Sequence, residues 1–266
     1  MNLANTLTEL LRASVKVGHR FVKHVKITPR SKDQKRMSML IYNNLVQKGD
    51  SVLALVDAEK AVGMEVIARS AFENYIDLIN LFKHRPEYLQ YVKYMSSAQQ
   101  VRSIENLIKN RQSPFSVPII RSMPGRLGIT IEQALEMTKE EKIQFRSGLS
   151  RVYTDGNKPI SESRSRINTS VRLRSELAGQ LDKYESIYRI LSRSTHSDFM
   201  SMLKGVFKDW GYVWPPEPPQ PSLLVIDAVT MMIHETSEIL AKKLRKPFPA
   251  VKKLIEDRHR LHSRRQ

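Results

Sequence analysis

Cysteine is absent from the 266 residues, which excludes disulfides, thiolate metal sites and a cysteine nucleophile. Glycine is scarce, at 10 residues, and no glycine-rich phosphate loop, dinucleotide fingerprint or HExxH zinc motif occurs. Acidic residues are in short supply as well: 27 Asp and Glu stand against 44 Lys and Arg, a formal charge of +17 and a pI near 10.0. The longest apolar stretch, SLLVIDAVTMMIHETSEIL, carries Asp227, His234 and Glu235, so it reads as a buried helix and not as a membrane span. His234 and Glu235 are adjacent, but no second histidine follows at zinc spacing. The opening, MNLANTLTELLRASVKVGHRF, lacks the apolar core and small-residue cleavage site of a signal peptide. These absences lead to the expectation of a cytoplasmic protein with no cofactor, no metal and no membrane partner.

At 41% hydrophobic and 27% charged, the chain can bury a proper core. Apolar residues recur at a spacing near 3.6 almost throughout, with no alternating strand pattern and no internal repeat, so the expected fold is an all-α antiparallel bundle. The periodicity predicts helices over about 3–25, 31–58, 60–84 and 86–109. Gly18 and Gly49 are points where the first two could break or bend. Pro114, Pro118, Pro124, Gly125 and Gly128 break the pattern between 111 and 128, and two short helices follow at about 130–137 and 139–152. Residues 153–170 are polar, turn-rich and basic, and read as a loop. Helical spacing returns over about 171–193, 221–244 and, as a basic helix, 249–261. Five prolines in GYVWPPEPPQP exclude a helix there and favour a stiff, extended segment, with Trp210, Tyr212 and Trp214 either as a docking surface or as a plug for the end of the bundle. The expectation is one domain over 1–266, with an irregular insertion at about 111–170 and a basic tail at about 245–266.

The basic excess concentrates in the first sixty residues, in 146–174 and in the tail. Such a field attracts polyanions, and its contribution to nucleic-acid binding falls with salt. Candidate nucleic-acid contacts are Arg164, Arg166, Arg172 and Arg174 in the loop region, and Lys252, Lys253, Arg258 and Arg260 in the tail.

Two stretches offer chemistry. In RSAFENYIDLINL, Arg69 and Glu73 lie one turn apart on a helix whose flank is nearly apolar, with Asn74 and Asp77 nearby. The pair reads either as an ordinary surface ion pair or as a partly buried one. In SIYRILSRSTHSDF, Arg189 and His196 fall on one face if the helix persists, with Arg193 between them. A guanidinium supplies fixed charge and paired donors, and an imidazole moves a proton near neutral pH. Together they suit RNA cleavage, in which the ribose 2′-hydroxyl is the nucleophile. The alternative is a histidine cap beside a surface arginine.

The Arg-x6-His of RILSRSTH resembles the Arg-x4-6-His signature of the HEPN superfamily of nucleotide-binding helical bundles. The pairing of RSAFENYIDL with YRILSRSTHSD resembles a bacterial HEPN-like family linked to defence systems. The resemblance implies a metal-independent endoribonuclease of a toxin or anti-phage type. Arg189 would neutralise phosphate, His196 would act as general acid or base, and Arg69, Glu73, Asn74 and Arg193 would support them. It also implies a homodimer with paired motifs, for which the helix bearing Met231, Met232, Ile233 and Leu240 is a candidate surface; the alternative is that this helix completes the bundle core. The alternative function is a non-catalytic nucleic-acid-binding or accessory module of a larger defence or toxin complex.

Overall fold

The computed structural model describes residues 3–25, 27–28, 31–60, 63–154, 167–195, 223–245, 249–250, 253, 256 and 260; for residues 85, 123–127, 151 and 193–195 it describes the backbone alone. The fold is an all-α helical bundle, and the described residues form no strand, only an isolated bridge between Thr154 and Ile167. The chain divides into two compact units. One is Met1–Phe82 with Arg174–Gln266, and the other is Lys83–Leu173. The inserted unit therefore begins well before the proline-rich break at 111.

The first unit is built on α1 (Leu3–His24), α2 (Asp33–Asp57) and α3 (Met64–Lys83), completed by α7 (Val171–Leu177), α8 (Leu181–Lys183), a π-helical turn (Tyr184–Tyr188), α9 (Arg189–Thr195) and α10 (Leu223–Lys243). Helices α1 and α2 run antiparallel, as the ion pairs Arg12–Asp57 and His19–Asp50 show. Gly18 and Gly49 do not interrupt them. Both are points of close approach: a Cβ on Gly18 would lie 2.7 Å from Val46 Cγ2, and one on Gly49 would lie 2.7 Å from Val15 Cγ2 and 2.9 Å from Ile233 Cδ1. Helix α10 packs on both partners. His234 Nε2 lies 2.7 Å from Ser14 Oγ and Tyr42 Oη 2.5 Å from Ser237 Oγ, so these polar atoms meet partners in the core. Met231, Met232, Ile233 and Leu240 are buried in this core. They complete the bundle, which corrects their reading as a dimer surface.

The second unit holds α4 (Arg85–Lys109), α5 (Ser116–Leu127) and α6 (Ile131–Ser147). Its core includes Tyr88, Tyr91 and Tyr153, with Tyr91 stacked on Tyr153 at 4.7 Å. Helix α5 corrects the expected irregular stretch. Pro118 sits in its first turn, where the missing N–H has no intrahelical partner to lose. Helix α6 replaces two short helices. A capping box on Thr130 and Gln133 starts it, and Thr138 passes through the middle by bonding its hydroxyl back to the Ala134 carbonyl at 2.7 Å.

The predicted helix over 171–193 is broken. Gly179 adopts φ +64°, a left-handed conformation suited to glycine, and ends α7. The proline segment 211–221 and most of the basic helix at 249–261 lie outside the described residues. No helix among the described residues is long and apolar enough to cross a membrane.

Candidate functional site

Helix α3 turns Ala68, Ala71, Phe72, Tyr75, Ile76 and Ile79 into the core, and this leaves Arg69, Glu73 and Asp77 as a polar row at four-residue spacing along its flank. The row is only partly solvated. Arg174 enters from α7 with a side chain only 7% exposed. Its Nη1 donates to Asp77 Oδ1 and Oδ2 at 2.9 and 3.1 Å, and its Nη2 to Glu73 Oε2 at 3.0 Å. Asn80 Nδ2 donates to the Arg174 carbonyl at 2.8 Å, tying the backbone of α7 to the same row. Lys48 of α2 donates to the Ser70 carbonyl at 2.9 Å. Burial pulls its ammonium below the usual lysine range, against the opposing charges of Glu73 and Asp77. The Nδ2 of Asn74 is buried with no hydrogen-bond partner among the described residues.

The same row reaches the second motif through Tyr188. Arg69 Nε donates to Tyr188 Oη at 2.8 Å, and Tyr188 Oη donates to Glu73 Oε1 at 3.3 Å. Arg69 itself stands 4.0 Å from Glu73, so the expected pair is present, partly buried and bridged by the phenol. The Arg69 guanidinium also lies 5.1 Å from the centroid of the Tyr188 ring, and Phe72 packs on that ring at 5.5 Å. Burial, and then the charge of Glu73, raises the Tyr188 hydroxyl above the usual tyrosine value. A second polar cluster stands alongside: Lys183 Nζ donates to Tyr75 Oη at 2.7 Å and to Glu235 Oε1 and Oε2 at 2.8 and 2.7 Å. The two stretches singled out in the sequence are thus neighbours in space.

Tyr188 ends the π-helical turn, in which the N–H of Arg189 bonds to the carbonyl of Tyr184, five residues back. Arg189 opens α9 and faces solvent, its side chain 55% exposed. Its Nη1 donates to Glu185 Oε2 at 2.6 Å, and that bond raises its already high pKa further. The structure does not bring Arg189 to Arg69 or Glu73; it brings its neighbour Tyr188. His196, Arg164, Arg166, Lys252 and Arg258 lie outside the described residues, as does the side chain of Arg193. Arg172, Lys253 and Arg260 are exposed. Arg174 is not: its reading as a nucleic-acid contact is corrected, because two carboxylates hold it in the interior.

Sequence reasoning missed Arg174, Tyr188, Lys48 and Lys183 as members of these clusters. For Arg174 a signal existed, since Val171, Arg174, Ser175 and Ala178 share one helical face whose other members are apolar or small. Among the described residues no group of three or more His, Cys, Asp or Glu side chains is placed to hold a metal ion.

Residues 35–211, more than half of the chain, match a family of unknown function (DUF5677). The chain belongs to this family. The matched span starts in α2, runs through α3 and the Tyr188 turn, and includes both stretches that form the site. No curated protein and no solved structure matches the chain.

Proposed function

We propose that this DUF5677 member acts on RNA as a metal-independent endoribonuclease of a toxin or defence type, in keeping with its resemblance to the HEPN superfamily. The observation that carries the reading is the anchoring of Arg189. Its guanidinium faces solvent one residue after Tyr188, which Arg69 and Glu73 hold against α3. A cation on a fixed helix positions a phosphodiester with little loss of conformational freedom. In the reaction the ribose 2′-oxygen attacks the adjacent phosphorus and loses its proton to a base. The bond from phosphorus to the 5′-oxygen breaks, and the leaving alkoxide takes up a proton. His196 supplies one of these proton transfers and Arg189 neutralises the phosphate. The net charge of +17 favours encounter with RNA, and a homodimer would pair two such motifs.

The test is incubation of purified protein with mixed cellular RNA in EDTA, with His196→Ala alongside. Cleavage leaving 2′,3′-cyclic phosphate ends, reduced on the order of 10²–10⁴-fold in the variant, supports the reading. Equal degradation by both proteins rejects it. A second reading, a non-catalytic RNA-binding module, is favoured by one contact: Glu185 already engages the Arg189 guanidinium at 2.6 Å. RNA binding without cleavage selects that reading.

A further inference from the structure

Helix α1 buries Leu7, Leu10, Leu11, Val15 and Phe21 in the bundle, and its opposite side is basic. Arg12, Lys16, Arg20 and Lys23 are exposed along that side and, with His19, form one wall of an open groove of about 560 Å³. Asp50, Leu53, Ala54 and Asp57 of α2 form the other wall. The two carboxylates are already engaged. Asp57 accepts from Arg12 Nη1 and Nη2 at 3.3 and 2.7 Å, and Asp50 stands 2.5 Å from His19 Nε2. Lys16, Arg20 and Lys23 have no ion-pair or hydrogen-bond partner among the described residues. Seven helical residues turn through about 700° and rise about 10 Å, so these three cations form a nearly straight row.

We infer that this row is a phosphate-backbone track, on which one strand of RNA lies along α1. The inference deepens the RNA-directed reading above, because it assigns the surface that holds substrate away from Arg189. The row is about 10 Å long and carries three cations, enough to meet consecutive phosphates of one strand. The Asp50 and Asp57 side chains confine the backbone to the α1 side of the groove. An acidic membrane fits less well, since the apolar side chains of α1 that would enter a bilayer are buried. An extended acidic peptide fits less well too, because both walls are helices and offer no free backbone edge for pairing.

The test measures binding of a 2′-O-methylated RNA of about 12 nucleotides, which has no 2′-hydroxyl nucleophile and so reports binding independently of cleavage. Lys16→Ala/Arg20→Ala/Lys23→Ala is compared with Lys60→Ala/Lys109→Ala/Lys243→Ala, which removes the same charge from exposed lysines elsewhere. The first triple variant should lose about tenfold or more in affinity and lower the salt slope by about 2, while melting like the wild type. The second should bind nearly as the wild type does. No binding by the wild type, equal losses in both variants, or polyglutamate binding as tightly as the RNA would overturn the track. Failure of the wild type to cut unmodified RNA, with the α1 variant still deficient in binding, rejects the ribonuclease reading and leaves the track standing.

Discussion

One nitrogen of Arg174 donates to both carboxylate oxygens of Asp77, at 2.9 and 3.1 Å, in a part of the first unit where the arginine side chain is only 7% exposed. Removing one partner of a buried pair leaves the other charge uncompensated, at a cost of about 3–5 kcal/mol. Arg174→Met should therefore lower the stability of the first unit by about that amount in urea unfolding. Asp77→Asn and Arg174→Met combined should cost less than the sum of the two, since the second substitution removes a charge the first has stranded. Additive losses would show that the contact carries little coupling.

Gly18→Ala and Gly49→Ala set helix propensity against packing. Propensity alone favours alanine by roughly 0.8–1 kcal/mol inside a helix. Each added Cβ, however, would lie 2.7 Å from a valine methyl. Both substitutions should destabilise by about 1–3 kcal/mol in thermal or urea melts. A gain in stability at either position would mean that α1 and α2 part without cost.

Alkaline pH should weaken the fold. Burial raises the Tyr42 hydroxyl above its ordinary value, and burial followed by the charge of Glu235 does the same for Tyr75. Tyrosines in the unfolded chain begin to ionise near pH ~10, while these stay protonated in the folded one. Above that pH the unfolded state binds fewer protons, so stability is intact below it and falls as pH rises. Tyr42→Phe should flatten the decline measured by urea unfolding from neutral to strongly alkaline pH. An unchanged slope would assign the decline to other groups.

Glu185→Gln tests the competition for Arg189. On the proposed reading, phosphate must displace a carboxylate that lies 2.6 Å from the guanidinium. Exposed pairs of this kind are weak, so the substitution should tighten RNA binding by only about twofold to threefold in a fluorescence titration. Weaker binding in the variant would mean that Glu185 presents Arg189 to the RNA and does not withhold it.

The sequence disclosed the bundle because sustained spacing near 3.6 reports which face each helix buries, and α1 to α4 follow it closely. It misled where proline carried too much weight: Pro118 occupies a first helical turn, which needs no N–H. It also missed the interruption around Gly179, since the apolar period continues across a break that only the backbone angles record. At the site, the Arg69–Glu73 row and the Arg189 helix were each legible from local spacing. That Tyr188 joins them was not, because a contact across more than a hundred residues leaves no local pattern. Arg174 was assigned to solvent by its charge, although its helical face placed it inside.

The π-helical turn at Tyr184–Tyr188 has a consequence for how this segment can vary. Winding with hydrogen bonds to the fifth residue back accommodates one residue more than an α-helix would over the same turn. Loss of a single residue there, such as Ile187, restores ordinary winding and leaves everything downstream on its present bearing, because the residue lost is the extra one. Arg189 would then keep its present bearing, and the secondary-structure content would hardly change. A change of length at this one place is taken up by the winding and not by the direction in which the cation points. A chain shortened by Ile187 should keep its circular dichroism spectrum and, on the proposed reading, the contribution of Arg189 to RNA binding.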